Sequence, residues 1–184
     1  MEFAPRMSRF KPSPSQIASA RVRDLQAEGR DIIKLTAGEP DFPAPDHAKQ
    51  AVVELMDRNE IQYTPVNGTL AMRKAVQAKF KRDNELEYGL DQIAVGSGSK
   101  QVLFNALMAT VSMGDEVIIP GPYWASYPDM VKLAGGTPVI VMAGQNEKFK
   151  MRSEELEAAI TPQTKWLMFC SPGNPTGAAY SHAD

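Results

Sequence analysis

The sequence predicts an α/β fold with a mainly parallel sheet flanked by helices, and three observations carry that prediction. After Asp91, short apolar runs at 92–95 (QIAV), 116–120 (EVIIP), 137–142 (TPVIVM) and 165–170 (KWLMFC) alternate with stretches of helical spacing. Strands of that length joined through helices cannot be hairpins, because a parallel neighbour needs a long crossover. The loops that begin at Gly96, Gly121 and Ser171 are rich in glycine and proline and follow apolar runs, at the carboxyl ends where open α/β sheets place ligands.

Taken in order, residues 1–14 mix basic residues with Pro5, Pro12 and Pro14, which suits an extended arm, since proline removes a donor and restricts its predecessor. A helix is expected from near Ser15, where Ile17, Val22 and Leu25 recur up to a stop at Gly29, and a short strand over 32–35. The segment TAGEPDFPAPDH reads as loop. Helices follow over 46–58 and 69–81, the second with Met72, Val76 and Phe80 on one face, joined by IQYTPVNG with its Asn67-Gly68 turn. Further helices start near Ser99 and run through Met130 and Leu133. Ser181-His182-Ala183-Asp184 fits a helix-start pattern, hydroxyl first and acid three residues later, with no helix after it.

Composition narrows the function. With 43% hydrophobic and 23% charged residues and a net charge of -2, the chain has no electrostatic footprint for nucleic acid or an anionic membrane. No window reaches the roughly 18 apolar residues of a membrane span, and the start lacks a secretory core, so the cytoplasm is expected. Cys170 is the single cysteine, which excludes an internal disulfide, and with only His47 and His182 beside it no metal-ligand spacing arises. No nucleophile elbow accompanies either histidine. Cys170, at the end of an apolar run, reads as a small core residue.

Gly96-Ser97-Gly98-Ser99-Lys100-Gln101 lies between a predicted strand and a predicted helix, where unpaired N–H groups form an anion site. It lacks the third glycine of a dinucleotide fingerprint and the spacing of a Walker loop, so it is either a phosphate cradle or a connecting turn. Ser171-Pro172-Gly173-Asn174-Pro175-Thr176-Gly177 either fixes the Asn174 amide or is simply a stiff turn. Trp124, in Gly121-Pro122-Tyr123-Trp124, either stacks on a flat ring or fills the core. Tyr63 either donates to a phosphate or sits on a surface loop. Together the three loops describe a planar, phosphorylated ligand.

In that order, TAGEPDF, Tyr63-Thr64-Pro65 with Asn67-Gly68, GSGSKQ, GPYW-x-SYP and SPGNPTG resemble the class I aminotransferases of fold type I, and the arm FKPSPS resembles their bacterial aspartate aminotransferase branch. The resemblance implies the aspartate aminotransferase-like fold, with 1–40 an arm and small-domain segment and 41–184 the N-terminal part of the large domain. It implies pyridoxal 5'-phosphate as cofactor, bound by Gly98, Ser99, Lys100, Trp124 and Asn174, with Tyr63 reaching the phosphate of a partner subunit in a homodimer. Gly38, Trp124 and Asn174 fall on substrate-binding positions. Lys100 is not the Schiff-base lysine; that lysine, the aspartate at the ring nitrogen and the carboxylate-clamping arginine are expected beyond Asp184, so no catalytic residue is assigned and the chain alone is expected to be inactive. The implied reaction moves an amino group between an amino acid, aspartate foremost, and a 2-oxo acid such as 2-oxoglutarate. A C–S lyase on the same scaffold, or an inactive aminotransferase-like fragment, are the alternatives.

Overall fold

A computed structural model describes residues 2–184; Met1, the first residue of the predicted arm, lies outside the described residues. The arm is less extended than its prolines suggest. Pro5–Arg9 closes into a 3-10 turn, with the Met7 N–H donating to the Ala4 carbonyl at 2.9 Å, because proline's fixed φ and missing N–H suit a first helical position. The same logic starts α1 (Pro14–Ala27), which ends near Gly29 at φ +86. Helix α2 spans Asp46–Asp57, and α3 spans Leu70–Asn84. The hydroxyl of Thr69 accepts the Met72 N–H at 3.2 Å and so caps α3, whose end runs three residues past the predicted Lys81 to a left-handed Glu85. After α4 (Ser99–Thr110) come β1 (Glu116–Gly121), α5 (Ser126–Ala134), β2 (Thr137–Met142), α6 (Ser153–Ala159) and β3 (Thr164–Leu167). Helix α6 was not singled out in the sequence; Arg152 and Glu155 start it, the Arg152 N–H donating to Glu155 Oε2 at 2.9 Å.

The chain divides into two compact units, one made of the residues up to Ile32 with Leu103–Asp184, the other of Ile33–Val102. The first holds the sheet, in the order β2-β1-β3 with both ladders parallel, as the alternation of runs and helices predicts. β1 is central, and Val117, Ile118 and Ile119 are all fully buried, which is how a strand covered on both faces reads as a continuous apolar run. Val117 and Ile119 meet Leu107 of α4 and Val111 just after it, Tyr127, Met130 and Val131 of α5, and Met168, in one cluster. Trp166 packs at its border and donates its indole N–H to Thr110 Oγ1 at 3.0 Å. Ile118 faces the other way, and α6 packs on β2. Arg9 ties the arm to α5 by donating to the Lys132 carbonyl at 3.3 Å.

The second unit contains α2, α3 and the start of α4, and among its described residues only Ile93 is buried. Two predicted strands are not formed. Residues 32–35 make no ladder, and Ile33 and Leu35 stand exposed; Gln92 closes a 3-10 turn (Leu90–Gln92), while the Val95 N–H goes to the Asn67 carbonyl at 3.2 Å. An apolar run becomes a strand only when another strand takes its N–H and C=O groups, and neither segment belongs to the three-stranded sheet. The run 165–170 is likewise a strand only to Leu167. Met168 still donates to the Ile118 carbonyl at 2.9 Å, but Cys170 is exposed, contrary to its reading as core, and its thiol turns to the Pro172 carbonyl at 3.1 Å. Ser181–Asp184 forms a capped turn, the Asp184 carboxylate accepting the Ser181 N–H at 2.6 Å and hydroxyl at 2.7 Å. Among the described residues no helix is long and apolar enough to cross a membrane.

Candidate functional site

The turn before α4 leaves its backbone open. Gly98 sits at φ +89 with nothing within 4 Å of the position a Cβ would take, so the backbone is open above the turn and only glycine adopts the conformation without strain. The Gln101 side chain accepts the Ser97 N–H, the Gly98 N–H bonds Gly96 at 2.9 Å, and Val102 is the first residue to bond back to Gly98, at 3.4 Å. The backbone between them lies at a helix start, where the helix dipole favours negative charge. The segment leading into the turn is braced from Gly68, whose hydrogen faces Val95: a Cβ there would come within 2.9 Å of the valine Cβ. These contacts lie within Ile33–Val102, which also holds Gly38, in an exposed loop, and Tyr63, fully exposed on the connector. Ser99 and Lys100 are exposed in the first turn of α4.

In the sheet unit two loops leave adjacent parallel strands at their carboxyl ends. After β1, Gly121-Pro122-Tyr123-Trp124 leads into α5, and Trp124 is half-buried against the core cluster, edge-on to Tyr127 with centroids 5.4 Å apart. After β3, the loop from Ser171 folds on itself: the Gly173 N–H donates to Ala178, and the Gly177 N–H to Gly173, both at 2.7 Å. Asn174 sits at its tip, exposed, its amide making no hydrogen bond among the described residues. Asn174, Tyr123, Tyr127, Cys170 and Tyr180 line one small cavity of about 20 Å³, room for about one water molecule. Burial pushes the Tyr127 phenol above its ordinary value, and the neighbouring Cys170 thiol, to which it hydrogen-bonds, adds to the shift.

Trp124 and Asn174 thus belong to one unit, and Gly38, Tyr63, Gly98, Ser99 and Lys100 to the other. Each unit by itself offers part of what a flat, phosphorylated ring would need: in one, a helix start with an open glycine, suited to a phosphate; in the other, an indole and an uncommitted amide, suited to a ring and its oxygen. Two tyrosines were missed by sequence reasoning. Tyr127 stands inside the quoted SYP and Tyr180 three residues after the quoted SPGNPTG, and only their distances reveal a role. Among the described residues no three His, Cys, Asp or Glu side chains are grouped to hold a metal.

Comparison with known proteins identifies the family and the fold. The family model described as aminotransferase class I and II matches residues 30–184. A protein of Rhizobium leguminosarum bv. phaseoli named a probable aspartate/prephenate aminotransferase is 55% identical over 98% of this chain, which covers 45% of that protein. An aspartate/prephenate aminotransferase of Cereibacter sphaeroides is 54% identical over 97% of the chain, here covering 44% of the relative. Among solved structures, the aspartate aminotransferase of Rhizobium meliloti superposes with a TM-score of 0.94 at 47% identity, over all of this chain and 46% of that one. The aspartate aminotransferase of Thermus thermophilus with maleate gives 0.95 at 40% identity, over all of this chain and 48% of that one. The chain therefore spans about half the length of the relatives it matches.

Proposed function

From the membership of this chain in the aminotransferase class I and II family, we propose that it supplies the cofactor-seating part of a pyridoxal 5'-phosphate-dependent aminotransferase. The reaction moves an amino group between an amino acid, aspartate, and a 2-oxo acid, 2-oxoglutarate, in the cytoplasm. The observation that carries this reading is the open, left-handed Gly98 at the start of α4. The names of the similar proteins support aspartate as amino donor and favour prephenate as a second acceptor.

In this reading the turn of Gly98, Ser99 and Lys100 holds the phosphate, Gly98 leaving room above the backbone and the N–H groups that follow it donating, helped by the dipole of α4. Trp124 presents its ring face to the pyridine and keeps water from that side, since its edge contact with Tyr127 and the core fixes its tilt. The Asn174 amide donates to the phenolic oxygen and orients a substrate carboxylate, and Gly38 offers backbone to the substrate. When bound, the cofactor supplies the electron sink that lets a proton leave the substrate's α-carbon. Tyr63, which is fully exposed, reaches the phosphate of a second subunit in a homodimer in this reading. Residues 1–40 serve as arm and small-domain segment, and 41–184 as the first part of the large domain.

The test is an amino-transfer assay on the protein as the cell makes it, with aspartate and 2-oxoglutarate. Glutamate and oxaloacetate formed in equal amounts, dependent on added pyridoxal phosphate after its removal, is the expected result. Release of pyruvate and ammonia from cysteine-type substrates, with no glutamate formed from aspartate, would instead establish the lyase.

A further inference from the structure

The loop that carries Asn174 is secured from behind by one side chain that no motif singled out. Tyr180 accepts the Met151 N–H on its hydroxyl at 2.7 Å, which fastens it to the segment between β2 and α6. Its own N–H donates to Ser171 Oγ at 3.0 Å, at the opposite root of the loop. Its ring meets Phe169 edge-on at 5.7 Å, and Lys150 Nζ lies 5.9 Å from the ring centroid while paired with Asp184 at 2.7 Å. Tyr180 and Asn174 line the same cavity. An exposed loop with two short internal hydrogen bonds does not by itself hold an amide at its tip in one pose, because each exposed bond is worth only about 1 kcal/mol net. With Tyr180 in place, the loop is closed at its root by Ser171 and anchored to a second chain segment through Met151.

We propose that Tyr180 is a positioning residue for Asn174: through its hydroxyl to Met151 and its N–H to Ser171, it holds the loop so that the Asn174 amide meets the cofactor's phenolic oxygen. This rests on the aminotransferase reading for the identity of the oxygen, but not for the mechanical link between Tyr180 and the loop. The hydroxyl takes no part in proton transfer; it acts through Asn174 alone. Substituting phenylalanine keeps the ring on Phe169 and removes only the anchor.

The experiment has two arms on the protein as the cell makes it. In the first, with pyridoxal phosphate removed, hydrogen exchange is followed by mass spectrometry in Tyr180→Phe and Ser171→Ala. Exchange over 171–179 is expected to rise about fivefold in each, the size of one lost hydrogen bond of ordinary strength, with β1 and β2 unchanged. Unchanged exchange over the loop in both variants overturns the proposal, whatever the protein's reaction proves to be. In the second, the loaded protein is titrated with pH and the absorption of the bound cofactor recorded for wild type, Tyr180→Phe, Asn174→Ala and the double variant. The titration midpoint of Tyr180→Phe should move in the direction of Asn174→Ala and by less, and the double variant should match Asn174→Ala. Additive shifts would mean that Tyr180 does not act through Asn174. A loosened loop in the first arm, with no transamination by wild type, would leave the anchor standing and remove the functional reading.

Discussion

Leu103–Asp184 bury ten apolar side chains, Val117, Ile118 and Ile119 completely, whereas Ile33–Val102 bury Ile93 alone among the described residues. The helices of the second region are no less regular. α2 carries Val52, Val53 and Met56 and leaves each more than half exposed, at 58, 54 and 56%. The difference teaches that apolar periodicity specifies a helix and its intended buried face, while the stability of that helix comes from whatever covers the face. In the sheet region the covering is local in sequence, because α4, α5 and the strands supply one another's partners.

Removing a buried methyl cluster from β1 should therefore have the largest effect. Ile119→Ala is expected to cost about 2–5 kcal/mol by leaving a cavity against Val131 and Leu107, read from chemical unfolding of the sheet region by tryptophan emission; Val52→Ala in α2 should fall within about 0.5 kcal/mol in the same chain. Equal losses at the two sites would break the comparison. Next, Gly98→Ala puts a Cβ on a left-handed residue and should destabilise the start of α4 by about 1 kcal/mol or more, weakening phosphate binding at the same time; the check is a melting curve together with phosphate-dependent protection. Thr69→Ala should cost about 1 kcal/mol through the lost cap of α3, seen as faster exchange at Leu70–Arg73 with β1 untouched.

How much of this was legible follows the same division. The sheet region could be read because strand, helix and strand are short, apolar and consecutive, so EVIIP, TPVIVM and the helix between them identify each other's partners. QIAV and 32–35 were misread because an apolar run carries no record of whether a neighbouring strand is at hand, and Ile33 and Leu35 have none among the described residues. The loops after β1 and β3 were legible as glycine, proline and asparagine at strand ends. Tyr180 was not, since its role depends on Met151 and Ser171, which come together only through the fold. Cys170 was misplaced because the strand ends at Leu167, before the apolar run does.

The smallest effect concerns acid. The Ser112 N–H and then the Lys165 ammonium hold the Asp115 carboxyl below its ordinary 3.8 at the entry to β1. A depressed carboxyl contributes stability that is present above its unfolded value and lost as pH falls through the folded one. Stability should thus be flat above about pH 4 on this account and decline below it, with a shallower decline in Asp115→Asn, measured by denaturant midpoints at stepped pH.

The measurement that bears most directly on the central claim is a titration of pyridoxal phosphate, against pyridoxal without its phosphate, into a Trp166→Phe variant in which Trp124 is the only tryptophan left. Saturable quenching of the Trp124 emission by pyridoxal phosphate, at least about tenfold tighter than by pyridoxal as an anion cradle at a helix start requires, is the predicted result. Equal affinities would contradict the proposed phosphate site, and no quenching by either would contradict the proposed stacking on Trp124.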